Sequence, residues 1–191
     1  MVEDGSTTEN YTQVTSLSNI TAGTYIIINA NYYLPSTTTN TSPTKVAAPT
    51  ITSGTIATTN VTSAMIWYFT GTSYSAMTIK NAAGSYLYAT NSSTGLRVGA
   101  TSDTWTFATN GSAFSLKEAN NSRYCATYAA GSNWRSYTSA TSTNYGDGGR
   151  VYLYKLTTTA NYTTYYTTST QLTVTAVSED NSKGTAHVSA L

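Results

Sequence analysis

The stretch Thr24-Tyr25-Ile26-Ile27-Ile28-Asn29-Ala30-Asn31-Tyr32-Tyr33-Leu34 decides the fold, because the chain writes its pattern three times. The second copy reads Met77-Thr78-Ile79-Lys80-Asn81-Ala82-Ala83-Gly84-Ser85-Tyr86-Leu87-Tyr88. The third reads Phe114-Ser115-Leu116-Lys117-Glu118-Ala119-Asn120-Asn121-Ser122-Arg123-Tyr124-Cys125. Each copy is an alternating segment, a turn rich in Asn, Ala or Gly, and a second segment carrying Tyr. That order predicts a β-hairpin. On this register Tyr33, Tyr86 and Tyr124 are equivalent, as are Leu34, Leu87 and Cys125.

Two further elements follow each hairpin. Gly95-Leu96-Arg97-Val98-Gly99 matches Asn133-Trp134-Arg135-Ser136-Tyr137, with Thr44-Lys45-Val46-Ala47 as the weaker counterpart. Ile66-Trp67-Tyr68-Phe69, Thr104-Trp105-Thr106-Phe107 and Val151-Tyr152-Leu153-Tyr154 close the three units. Period-two alternation sets Trp67 with Phe69, and Trp105 with Phe107, on one strand face. In the third unit either Tyr152 with Tyr154 or Val151 with Leu153 takes that place. Units this short cannot bury an apolar face singly, but three together can share one barrel core.

Composition agrees with an all-β chain. Of 191 residues, 39% are hydrophobic and 9% charged, with 17 tyrosines and a net charge of +1. Low net charge with many aromatics argues for a folded chain. Thr and Tyr favour pleated strands, and no sustained 3.6-residue apolar period is present. Nine scattered Lys and Arg residues form no basic stripe for phosphates, so nucleic acid is not an expected partner. The longest apolar runs are too short to span a bilayer. No signal peptide follows Met1, and the lone Cys125 excludes an internal disulfide framework.

The repeated pattern resembles the β-trefoil superfamily, in which three such units pack about a pseudo-threefold axis. The aromatic-x-Phe closure is similar to the Gln-x-Trp closure of ricin-like lectin repeats, without the Gln. Tyr11-Thr12-Gln13-Val14-Thr15-Ser16-Leu17, Thr21-Ala22-Gly23-Thr24-Tyr25-Ile26-Ile27 and Leu153-Tyr154-Lys155-Leu156 also look like modules of large secreted or surface proteins of Bacteroidetes-type bacteria. The resemblance covers residues 11–156. It implies a three-repeat β-trefoil-like barrel, an extracellular location and binding sites in the loops of individual repeats.

The expected organisation is a tail over residues 1–10, the repeat domain over 11–156, a Thr/Tyr-rich linker over 157–170 and a β-hairpin over 171–191. In the last, Leu172, Val174 and Ala176, then Ala186, Val188 and Ala190, alternate around a polar turn. A lone hairpin is marginal in water, so it packs on the barrel or begins a truncated next domain.

Catalysis finds little support. The single His187 lies in the terminal hairpin, so the repeats offer no imidazole to a nucleophile. The acids of the repeat region are few: Asp103 reads as a turn residue, Glu118 as a solvated one, and Asp147 sits among turn formers. No Cys/His cluster or acidic loop suits a metal, and no cofactor motif is present. The expectation is therefore a non-catalytic protein.

Binding remains. Sugars are held by aromatic faces and by planar amide, carboxylate or guanidinium groups. The third repeat carries this mixture most densely, in Tyr128, Asn133, Trp134, Arg135, Tyr137, Asn144, Tyr145, Asp147 and Arg150. The equivalent placement of Trp67 and Trp105 speaks for core packing, and the alignment of Trp134 with Leu96 points the same way. Lys45, Arg97 and Arg135 recur once per repeat and suit guarded strand edges. Two insertions, Pro49 to Ala64 and Ala140 to Arg150, read as loops. The expected function is a carbohydrate-binding accessory module of a larger secreted or surface protein, its partner a glycan. The competing expectation is a structural or adhesive protein-interaction module.

Overall fold

The computed structural model describes residues 2–165. The chain divides into two compact units: Thr7–Ala160, and a second made of Met1–Ser6 with Asn161–Leu191. Of the second, only residues 2–6 and 161–165 are described, as strand. The hairpin expected over 171–191, with His187, lies outside the described residues.

The strands are β1 (Val2–Gln13), β2 (Gly23–Asn29), β3 (Tyr32–Tyr33), β4 (Val46–Ala47), β5 (Thr55–Ala57), β6 (Trp67–Thr70) and β7 (Thr78–Lys80). They continue with β8 (Tyr86–Ala89), β9 (Leu96–Gly99), β10 (Trp105–Asn110), β11 (Ala113–Glu118), β12 (Tyr124–Thr127), β13 (Trp134–Tyr137) and β14 (Tyr152–Tyr165). Helix among the described residues is confined to short 3₁₀ turns, and no helix there is long and apolar enough to cross a membrane. The protein is all-β.

Hydrogen-bonded ladders give a ten-stranded sheet with the path β5-β1-β14-β2-β6-β7-β8-β9, and a four-stranded sheet β10-β11-β12-β13. Among the described residues, neither sheet closes on itself into a barrel. Two isolated bridges, Met77 with Trp105 and Phe114 with Val151, link one sheet to the other. These bridges fall at the positions where β2 and β6 pair Tyr25 with Trp67. One backbone contact is thus made once in each repeat. The hairpin register agrees: Tyr33 pairs with Ile28, Tyr86 with Lys80 and Tyr124 with Lys117.

The main core follows from the alternation. Trp67, Phe69, Trp105, Phe107, Leu34, Leu87, Cys125, Val151 and Leu153 are all buried in it. Tyr25 stacks on Phe69 at 4.1 Å between ring centres, and Phe69 on Phe107 at 5.7 Å. Where the sequence left two options in the third unit, Val151 and Leu153 take the core face. Buried Tyr154 faces a second cluster with Tyr11, Ile26, Ile28, Tyr33 and Ile56. The unbroken run Tyr25-Ile26-Ile27-Ile28 is explained by this arrangement, since β2 is covered on both faces.

Asn side chains join successive repeats by hydrogen bonds to equivalent backbone positions. Asn81 Nδ2 donates to the Ser36 carbonyl at 2.7 Å, and Asn121 Nδ2 to the Ala89 carbonyl at 2.9 Å. Asn29 Oδ1 accepts the Thr127 N–H at 2.9 Å. Ser36, Ala89 and Thr127 each lie two residues beyond Leu34, Leu87 and Cys125. A buried amide needs such partners to offset its desolvation.

The residues expected to form an N-terminal tail belong to β1, where Asn10, Tyr11 and Thr12 pair with Ala57, Ile56 and Thr55. The presumed insertion Pro49 to Ala64 therefore supplies a strand, β5, and its Ile56 is fully buried. The expected linker over 157–170 begins inside β14, which runs to Tyr165. Alternation alone hides these strands, because Thr-rich segments read as polar loops.

Candidate functional site

The aromatic and polar residues expected in the third repeat fall into three places. Trp134 is fully enclosed and its Nε1–H donates to the Tyr33 carbonyl at 3.1 Å. Tyr145 is also buried; its hydroxyl donates to the Tyr124 carbonyl and accepts the Tyr137 N–H at 2.7 Å. Burial pushes the Tyr145 phenol well above its usual pKa. Tyr137 packs edge-on against Tyr145 at 5.0 Å. Both Trp134 and Tyr145 thus spend their faces on the scaffold.

A second group lies on the strand edge. The Arg135 guanidinium sits 3.9 Å from the Tyr128 ring centre, and its Nε donates to Asn133 Oδ1 at 3.2 Å. This half-buried trio satisfies itself. Lys45 lies over Tyr32 at 5.0 Å, while Arg97 donates to the Leu96 carbonyl at 2.8 Å. The once-per-repeat cations therefore serve local contacts that differ from repeat to repeat. Asn144 is exposed in its loop.

In the third group, Asp147 lines a cleft and Arg150 is paired with it. The cleft has a volume of about 480 Å³ and is lined by Gln13, Asn31, Ile51, Asp147, Tyr152 and Tyr154, with Ala30 and Ile28 behind. Asp147 forms a salt bridge with Arg150, and the Arg150 Nε also donates to the Asp147 carbonyl at 3.2 Å. Asp147 holds the guanidinium more firmly protonated than usual. Apart from Asp147, none of the cleft-lining residues was among those expected from sequence.

Backbone conformation sets the rim. Asn29 pairs with Tyr32, so Ala30-Asn31 is a two-residue hairpin loop with φ of 48° and 66°. Two left-handed residues define the type I′ turn, which matches the strand twist. Across the cleft Asp147, Gly148 and Gly149 follow one another at φ of 48°, 60° and 76°. Asn29 ties the two turns together, its Nδ2 donating to the Gly146 carbonyl at 3.0 Å and the Arg150 carbonyl at 2.7 Å. Gly146 is required at this junction, since a Cβ there would meet Thr127 Oγ1 at 2.5 Å and Ala30 Cβ at 2.8 Å. Of the left-handed non-glycine residues, Ala30, Asn31 and Asp147 all line this cleft. Left-handed backbone costs about 1–2 kcal/mol per non-glycine residue, and such strain clusters at functional sites.

The carboxylates Asp103 and Glu118 stand apart from the cleft. Glu118, expected in solvent, is fully buried and accepts the N–H groups of Asn120 at 2.5 Å and Asn121 at 2.8 Å. Asp103 is buried as well, accepting from the Thr104 N–H at 2.8 Å and the Asn120 amide at 3.0 Å. Burial, followed by its hydrogen bond with Glu118, pushes the Asp103 pKa up to about 7. An acid raised in the fold stabilises it fully below the unfolded pKa near 3.8, and that contribution is lost as pH rises through about 7. Asp103→Asn keeps a donor toward Glu118 without a proton to lose. The expected result is a melting temperature raised by about 2–5 °C at pH 8 and a flatter pH profile between 4 and 8. Parallel profiles for wild type and variant would show that Asp103 is not the titrating group.

No family model matches the chain, and no curated protein matches it in sequence.

Proposed function

We propose that this chain is a non-catalytic carbohydrate-binding module of a larger secreted or surface protein, and that its repeats form a β-trefoil. The threefold reading is supported by the backbone contact repeated at Tyr25–Trp67, Met77–Trp105 and Phe114–Val151. The three amide links between successive repeats support it equally. The extracellular reading rests on the composition, rich in uncharged polar residues with 9% charged.

The observation that carries the binding reading is the cleft between the two left-handed turns. It sets the half-buried Tyr152 beside two amides, Gln13 and Asn31, and one carboxylate, Asp147. Aromatic rings with planar hydrogen-bonding groups suit the C–H faces and hydroxyls of a sugar. Acid-pair glycoside hydrolysis needs two carboxyl groups across one bond, and Asp147 is the one carboxylate lining this cleft. The ligand is held rather than cleaved.

The test is calorimetric titration of the full chain with plant and host glycans. Saturable binding in the millimolar range or tighter is expected, weakened at least about tenfold in Asp147→Asn, which preserves the left-handed turn. Silence across the panel would overturn the reading.

One observation favours a second reading, a structural or adhesive module. Trp67, Trp105 and Trp134 are all fully buried, with each indole N–H bound to a backbone carbonyl. Among the described residues, the exposed large hydrophobic side chains Val46, Ile51, Tyr68 and Tyr74 are dispersed along the sequence. A silent glycan panel would leave this reading in place.

A further inference from the structure

We infer that the cleft selects an uncharged, N-acetylated pyranose, its acetamido group lodged against Ile51 and Ala30 and hydrogen-bonded by Asn31 and Gln13. This inference rests on the carbohydrate-binding reading and names its ligand class.

Charge excludes the acidic sugars first. Asp147 is the one ionised group lining the cleft, and the nearest guanidinium, Arg150, is already paired with it. A uronate or sulfated sugar would bring an anion beside a carboxylate with no free cation in the lining. Like charges at contact distance disfavour binding.

The apolar part of the lining then distinguishes among neutral sugars. Ile51 is 40% exposed, among the most exposed large aliphatic side chains of the described residues, and it lines the cleft together with Ala30. A plain hexose presents hydroxyls around its edge and would leave these methyl groups facing polar atoms. An acetamido substituent instead carries a methyl group and a planar amide side by side. The Gln13 and Asn31 side-chain amides make no hydrogen bond with other groups among the described residues, so their donors and acceptors are open to such an amide. Tyr152, half-buried in β14, supplies the ring for the pyranose face. A site built to hydrogen-bond one group discriminates strongly against analogues lacking it.

The test is calorimetry on the full chain with the methyl glycosides of N-acetylglucosamine, N-acetylgalactosamine, glucose, galactose and glucuronate. At least one N-acetylated sugar is expected to bind about tenfold or more tighter than its parent hexose, with glucuronate weakest. Ile51→Ser should reduce that preference to within about twofold. Asn31→Gly, which retains the left-handed turn, should also narrow that preference while weakening every sugar that the Asn31 amide holds. Both positions are exposed, and an unchanged melting temperature confirms folding. Hexoses binding as tightly as their N-acetylated forms, with Asp147→Asn still weakening them, would overturn the acetamido inference and leave the module reading standing. Tightest binding of glucuronate would overturn the charge argument. No binding of any sugar here or in the glycan panel would overturn both.

Discussion

Trp105→Ala is expected to lower the unfolding free energy by about 3–5 kcal/mol, the usual cost of removing a fully buried indole. Trp105 is enclosed in the main core, and its Nε1–H donates to the Leu87 carbonyl at 2.8 Å. Truncation opens a cavity beside Phe107 and strands that carbonyl. It also loosens the Met77–Trp105 bridge, one of the links between the sheets. Trp105→Phe keeps most of the packing and loses the hydrogen bond, so it should cost clearly less. Urea unfolding followed by circular dichroism measures both. A loss below about 1 kcal/mol for the alanine variant would mean that the bridge region repacks around the void.

The second large effect is expected for Asn29→Leu, of similar volume but without the amide. Asn29 is fully buried and serves the carbonyls of Gly146 and Arg150, the Thr127 N–H and the Thr127 hydroxyl. Each backbone group left buried without a partner costs about 1–3 kcal/mol, and a total of about 3–5 kcal/mol is expected. Because the same side chain ties the Ala30-Asn31 turn to the Asp147 turn, the variant should also lose ligand binding at temperatures where it remains folded. A destabilised variant with unchanged glycan affinity would separate the scaffold from the site.

The repeat hairpins were legible because two signals coincide in them: period-two alternation, and Asn/Ala/Gly turns at equivalent offsets. Alternation also placed Trp67 with Phe69 and Trp105 with Phe107 on the core face, where they lie. β5 was not legible, since Thr55-Ile56-Ala57 carries one apolar residue and becomes a strand only against β1. Glu118 misled for a related reason. An acid in a turn reads as solvated, yet here it satisfies two turn N–H groups from inside.

The site was harder to see than the fold. Aromatic density pointed at the third-repeat loops, but density does not say which faces are free, and Trp134 and Tyr145 give theirs to the core. The cleft draws Gln13, Asn31, Asp147 and Tyr152 from distant parts of the chain. Only the adjacency of β1, β14 and β2 brings them together. The available sequence signal was Asn31 itself, a residue type that tolerates the left-handed conformation its turn requires.

Cys125 occupies the core position that Leu34 and Leu87 hold in the other repeats, and burial pushes its thiol well above the ordinary range. Alkylation needs a thiolate reached by solvent, so a reagent meets this sulfur only in molecules whose third repeat has come open. The rate at which a maleimide consumes the native chain therefore counts those excursions directly. The protein carries, at a single natural atom, a chemical gauge of its own breathing.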